Sequence, residues 1–365
     1  MAVRVRGVRS KPVTRTRTYL TRKEEEDKVS GSRMVEHEAQ QPKSFAVDGL
    51  QDLLEGMVGP TVATLIMHPF DITRTRMQVQ GELLRRGFYV VMYQRTFQSL
   101  RMMAHTDGPW SVYRGLMPSI AYRQVTHGLR LGVFQVIEDY GMTLDENLEP
   151  SVRLSAISGA LCGALGAFLG SPLQLVKCQL QTRASPQIAV GYQHHYRSSI
   201  EAFRTIYRAH GLRRGLWRAA QANVLRLSIA SAIQMGAYVQ AKRKLSHFDA
   251  NGPHHVITST AAAVYSSIAA APAVSTLDMI KTRMYLQPVD RRGRGIYYAS
   301  VLDCIRKIYM LEGLAGYSRG LLIAFLYSIL NSSITLLSWD ELKRLRSESR
   351  EHHELVVEII HQKGD

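Results

Sequence analysis

Three times in this chain a hydrophobic stretch closes on the same kind of polar cluster. The first copy reads Pro69-Phe70-Asp71-Ile72-Thr73-Arg74-Thr75-Arg76-Met77-Gln78. The second reads Pro172-Leu173-Gln174-Leu175-Val176-Lys177-Cys178-Gln179-Leu180-Gln181, and the third Thr276-Leu277-Asp278-Met279-Ile280-Lys281-Thr282-Arg283-Met284-Tyr285. Asp71 and Gln174 lie 103 residues apart, Gln174 and Asp278 104. Two further landmark sets, Tyr93/Tyr196/Tyr298 and Gly108/Gly211/Gly313, keep nearly the same spacing. Self-similarity at a fixed period marks a repeat architecture. Length alone would divide 365 residues into two or three unrelated domains; the repeat makes them one body of three similar parts.

Apolar residues are 45% of the chain and the mean hydropathy is only −0.11. No stretch offers the twenty or so clean apolar residues of an ordinary spanning helix. Long semi-apolar stretches, such as 151–177 and 254–281, are instead broken by single charges and amides. That pattern suits a bundle with a wet interior, because ionisable groups at membrane depth face a water-filled cavity. Half of the net charge of +16 sits in residues 1–23, which hold eight Arg or Lys and no acid. The remainder flanks the hydrophobic stretches, where basic residues meet anionic lipid. No nucleic-acid reading motif is present and the basic residues gather on no single element, so nucleic acid is not an expected partner. Cys162, Cys178 and Cys304 have neither disulfide nor metal spacing and read as buried thiols.

Each repeat follows one order: hydrophobic helix, polar cluster, loop, short amphipathic helix, second hydrophobic helix. The short helices start near Tyr93, Tyr196 and Tyr298; in the last, Val301, Ile305 and Ile308 recur on one face. The even helices are expected at 116–143, 217–246 and 320–346. Pro69 and Pro172 lie inside the first and third long helices, where proline removes a backbone hydrogen bond and kinks the helix. Thr276 replaces it in the fifth, with Pro272 one turn earlier. Gly159, Gly163, Gly166 and Gly170 allow close helix contact. The expected division is a disordered basic extension (1–44), repeats at 45–145, 150–247 and 254–346, and a loose tail (347–365). The Arg-rich start reads either as a mitochondrial transit segment or as a plain basic tail.

The triple Pro-x-(Asp/Glu)-x-x-(Lys/Arg) pattern resembles the mitochondrial carrier family (solute carrier family 25) over about residues 45–346. Tyr113-Arg114-Gly115 and Glu312-Gly313 are further family-like pieces. Within the family, Tyr122-Arg123, Gly128-Leu129-Arg130-Leu131-Gly132-Val133-Phe134 and Met77-Gln78-Val79-Gln80-Gly81-Glu82 look most like the oxaloacetate-carrier branch and its animal relatives. The resemblance implies an all-α membrane protein: six transmembrane helices in three pseudo-symmetric repeats, each with a short matrix-side amphipathic helix. It also implies the mitochondrial inner membrane, exchange of a small anionic metabolite, anionic phospholipid (cardiolipin) at the matrix side, a monomer and no cofactor.

Carried over residue by residue, the family's matrix gate becomes Asp71–Lys177, Gln174–Lys281 and Asp278–Arg74. Two of these pairs can be ionic; the middle one can only be a hydrogen bond. Gln78 and Gln181 stand at the bracing positions beneath, with Tyr285 replacing the third glutamine. On the even helices the second gate is expected to pair Gln135 with Lys242, Val239 with Lys343, and Asp340 with Glu138. The last pairing is repulsive, so this gate should be weak. Substrate contacts fall at Tyr122-Arg123, Arg226-Leu227 and Tyr327-Ser328, with Arg130 adding charge. Arg226 offers the planar fork that suits a carboxylate, phosphate or sulfate. Leu227 stands where many carboxylate carriers have a polar residue, and Tyr327 where they commonly have an arginine. The substrate is therefore expected to be a dicarboxylate or oxoacid, or a smaller or less charged solute. A carrier-like scaffold without transport is the rival reading. No nucleophile–base spacing and no phosphate loop are present, so neither enzymatic nor ATP-driven chemistry is expected.

Overall fold

The computed structural model describes residues 45–84, 87–145, 151–245 and 255–317, together with positions 323, 325–328, 330, 331, 334 and 338. The basic extension 1–44, the tail 347–365, and Asp340 and Lys343 of the second gate lie outside the described residues. The chain divides into two compact units, Met1–Asp52 and Leu53–Asp365. Of the first, the described residues 45–52 are helical. The second holds the elements that build the site.

Described residues form a long–short–long series of helices and no strand; an isolated bridge joins Val289 and Gly295. The first series is α1 (Phe45–Val79), α2 (Thr96–Asp107) and α3 (Leu116–Asp139). The second is α4 (Val152–Thr182), α5 (Ser199–His210) and α6 (Ala220–Leu245). The third is α7 (His255–Leu286), α8 (Val301–Glu312) and a single turn, α9 (Leu314–Tyr317). Every described position from 323 to 338 is helical, in the segment where the last even helix is expected.

Local chemistry sets the short helices. Ser198 and Ser300 cap α5 and α8 by accepting from the Glu201 and Asp303 amides, both at 3.2 Å. Glu201 and Asp303 reach back to the amides of Arg197 and Ala299, one residue before each cap, and so fix the entry of the chain into the helix. Each short helix then ends at a landmark glycine, Gly108, Gly211 or Gly313, all with positive φ. A side chain there would strain the chain, which accounts for glycine in all three copies.

The long helices pack through small residues. A Cβ on Gly163 would lie 2.6 Å from the Leu227 carbonyl of α6, and one on Gly170 2.8 Å from Thr126 of α3. The glycine row of α4 thus serves two neighbours, Gly159 and Gly163 facing α6, Gly166 and Gly170 facing α3. The outer face of α4 is Leu154, Ile157, Leu161, Leu165 and Phe168, all exposed, while Arg76 and Arg283 are wholly buried. Apolar outside and charged inside inverts the order of a water-soluble protein. Two described helices, Val152–Thr182 and Thr260–Leu286, are long and apolar enough to cross a membrane.

Candidate functional site

The polar ends of α1, α4 and α7 converge. Lys177 Nζ lies 2.7 Å from Asp71, and Arg74 pairs with Asp278. Two of the three expected links between neighbouring long helices are therefore present. The third is not. Lys281 turns to Asp278 on its own helix, one turn away, at 3.0 Å. Gln174 offers Nε2 to the Cys178 sulfur at 3.3 Å, and its buried carbonyl oxygen has no hydrogen-bond partner. A neutral amide is a poorer partner for an ammonium than a carboxylate already within reach, because only the carboxylate answers the positive charge with a full negative one. All six side chains belong to residues only 2–8% exposed, so together they floor a cavity.

That cavity, of about 220 Å³, is walled by α3, α4, α6, α7 and the segment around Tyr327. It brings together Tyr122, Arg123, Arg130, Arg226, Leu227, Tyr327 and Ser328 from the expected contact set, above Asp71, Arg74, Gln174, Lys177, Asp278 and Lys281. Among the described lining residues, six cations (Arg74, Arg123, Arg130, Lys177, Arg226, Lys281) face two carboxylates (Asp71, Asp278), an excess of four positive charges. Arg226 is already engaged by an acid. Its Nε lies 2.8 Å from Asp278 Oδ1, and a second nitrogen donates to Oδ2 at 3.4 Å. Arg123 donates to the Tyr327 hydroxyl and, at 2.7 Å, to Asn331. Arg130 donates to Gln234 at 3.0 Å. Tyr122 is buried and donates to Asn223 at 3.0 Å. Asn331 and Gln234 escaped the sequence reading. Both follow an expected contact at helical spacing, one turn after Tyr327 and two turns after Leu227, and that spacing was the available signal. On the other gate, Glu138 and Lys242 are exposed, and no ion pair among the described residues includes either.

Beneath the cavity floor, polar clamps join neighbouring series. Arg76 donates to the carbonyls of Gln181 and Arg183 at 3.1 and 2.8 Å, and Asp107 accepts from the Ser185 amide at 3.1 Å. Arg283 repeats this against the first series: it donates to the Gln78 carbonyl at 3.2 Å and pairs with Glu312, which accepts from the Leu83 amide at 2.8 Å. Gln181 binds Asp71 at 2.9 Å and Thr75 at 3.0 Å, and Gln78 accepts from Thr282 at 3.0 Å. Tyr285 offers its backbone carbonyl to Gln179 and Arg218 at 3.3 and 3.2 Å. Beside this seam Tyr298 donates to Glu82 at 2.9 Å, and burial pushes the Glu82 carboxyl up to about 7. His194, near the Leu286 carbonyl at 3.2 Å, is pushed down to about 4 by burial and by Arg218.

The sequence pattern of the family described as mitochondrial carrier protein matches residues 46–143, 149–249 and 252–350. The chain belongs to the mitochondrial carrier family. Solute carrier family 25 member 35 of Mus musculus is 34% identical over 80% of this chain and 97% of its own length. The Homo sapiens protein of that name is 32% identical over 80% and 98%. Mitochondrial citrate transporter E of Aspergillus niger is 31% identical over 79% and 90%. As a mitochondrial carrier, the protein is a multi-pass transporter of the mitochondrial inner membrane, in a family of transporters rather than enzymes.

Proposed function

We propose that this carrier exchanges a small dianionic metabolite, a dicarboxylate or oxoacid, by alternating access through six membrane-spanning helices. The observation that carries the reading is the excess of four positive charges in a cavity of about 220 Å³. Such a surplus in a low-dielectric wall concentrates and binds anions. The citrate transporter among the relatives supports a carboxylate more broadly, its named solute being a tricarboxylate. Arg226 holds the substrate carboxylate, and Arg123 and Arg130 attract it from the mouth. The six residues at the floor form the matrix-side gate, with Gln78 and Gln181 as braces, and the short helices lie on the matrix side against anionic phospholipid. A monomer suffices for this cycle, since the cavity lies within one chain.

Uptake into liposomes loaded with malonate, succinate, oxaloacetate or sulfate tests the reading. Exchange above empty-liposome background for at least one of them is expected; none for any would return the chain to the scaffold reading. Arg226→Ala should weaken the active anion about ten- to a hundredfold, the worth of one charge-assisted bond. Arg226→Lys should recover little, because the fork is lost.

A further inference from the structure

Asp71 and Asp278 hold corresponding places in the first and third repeats but carry different loads. Asp71 meets one cation, Lys177, and the Gln181 amide. Asp278 meets three: Arg74, Lys281 and Arg226. The cause is Gln174. Where a carboxylate at that position would take Lys281, the amide leaves Lys281 to Asp278. One carboxylate among three cations leaves two positive charges unanswered, and both of its oxygens are shared. Arg226 holds it loosely: Nε lies 2.8 Å from Oδ1 without a hydrogen bond and the other nitrogen donates to Oδ2 at 3.4 Å, so the fork that suits a carboxylate ligand is only half used.

We propose that Asp278 is an internal competitor for the transported anion: it occupies the Arg226 fork in the unloaded carrier and yields it when a substrate carboxylate arrives. This rests on the anion-carrier reading and adds a specificity-determining role to a gate residue. A weak anion cannot displace Asp278 from Arg226, whereas a dianion answers both spare charges at once. Loading also strips Asp278 of one of its three cations, so recognition at the fork is felt at the gate. Gln174 sets the strength of the competition through Lys281.

The test is thermal unfolding of the detergent-purified full chain titrated with malonate, succinate and sulfate, against sodium chloride at matched ionic strength. Asp278→Asn removes the competitor, and the half-saturating malonate concentration should fall roughly three- to tenfold, in the range of couplings between contacting residues. Exchange velocity should fall at the same time, because the gate loses its hub. Asp71→Asn deletes the same charge from the same cavity without touching Arg226, and should tighten malonate clearly less. Equal tightening in both variants would reduce the effect to long-range charge and overturn the proposal. Gln174→Glu gives Lys281 its own carboxylate and leaves Asp278 to Arg74 and Arg226 alone, so Asp278 holds Arg226 more firmly and malonate should bind several-fold more weakly. If Asp278→Asn does not fold, this variant decides: unchanged or tighter binding overturns the proposal. If none of the three anions shifts the wild-type chain, the anion reading itself fails and the competitor fails with it. Wild-type shifts without the predicted contrast overturn the competitor alone.

Discussion

The seams between repeats are built in two ways. Where the first repeat meets the second, and the third meets the first, a buried arginine (Arg76 or Arg283) is flanked by a carboxylate (Asp107 or Glu312) that also holds a backbone amide across the seam. Where the second meets the third, Gln179 and His210 stand in those places and Cys178 replaces the threonine. Gln179, Arg218 and His194 contribute contacts to single carbonyls there. A cavity of about 390 Å³ opens beside this seam, lined by Arg213, Arg214, Trp217, Arg218, Gln287 and Tyr298. The second repeat has thus changed its anchors together: Gln174, Cys178, Gln179 and His210. Removing an ionic clamp piecemeal would strand a buried charge, which is costly; exchanging both partners for neutral groups is cheap.

The largest effect should come from breaking a clamp by half. Glu312→Ala leaves Arg283 buried without its carboxylate and the Leu83 amide without its acceptor, and should cost about 3–5 kcal/mol in unfolding free energy. The pair Arg283→Gln with Glu312→His copies the second repeat's solution and should cost clearly less than Glu312→Ala alone. A double variant as damaging as the single one would mean that the seams differ in more than their charges. In the opposite direction, Gln179→Arg should destabilise and His210→Glu should rescue it, with a coupling of about 0.5–3 kcal/mol in a double-mutant cycle. Coupling near zero would show that the second seam no longer has clamp geometry.

The seams should also answer pH with opposite signs. The Glu82 carboxyl, pushed from 4.5 to about 7, contributes stability that is full below about 4.5 and lost as pH rises through 7. His194, pushed from 6.5 to about 4, contributes stability that is full above 6.5 and lost as pH falls towards 4. Glu82→Gln should flatten the first limb of a stability–pH curve, and His194→Gln the second. The smallest effect belongs to Ala219, beside the open cavity, which holds a left-handed backbone with φ 59° where the first repeat has Gly115. Ala219→Gly should raise stability by about 1 kcal/mol in thermal unfolding.

The helix series was legible because its signals are local: period, caps, landmark glycines and an acid three residues before a base. The Asp71–Lys177 and Asp278–Arg74 contacts followed from repeat phase through the family resemblance. What escaped was partner choice. Lys281 chose between an amide across the interface and a carboxylate one turn away on its own helix, and only the interhelical geometry settles such a competition. The Arg226–Asp278 contact joins an even helix to an odd one, so no repeat-to-repeat correspondence announced it. His210, in phase with Asp107 and Glu312, was readable from the same period; its consequence was not, because a missing clamp matters only once the other two are seen to exist.

The bare backbone faces of α4 have a mechanical consequence. Gly163 rests against the Leu227 carbonyl, one residue from Arg226, and carries no side chain that could change rotamer there. The spacing between the helix bearing Lys177 and the helix bearing Arg226 is therefore set at this contact by main-chain thickness, like two rods touching without a cushion. Such a contact leaves almost no slack between α4 and α6 at the depth of the cavity.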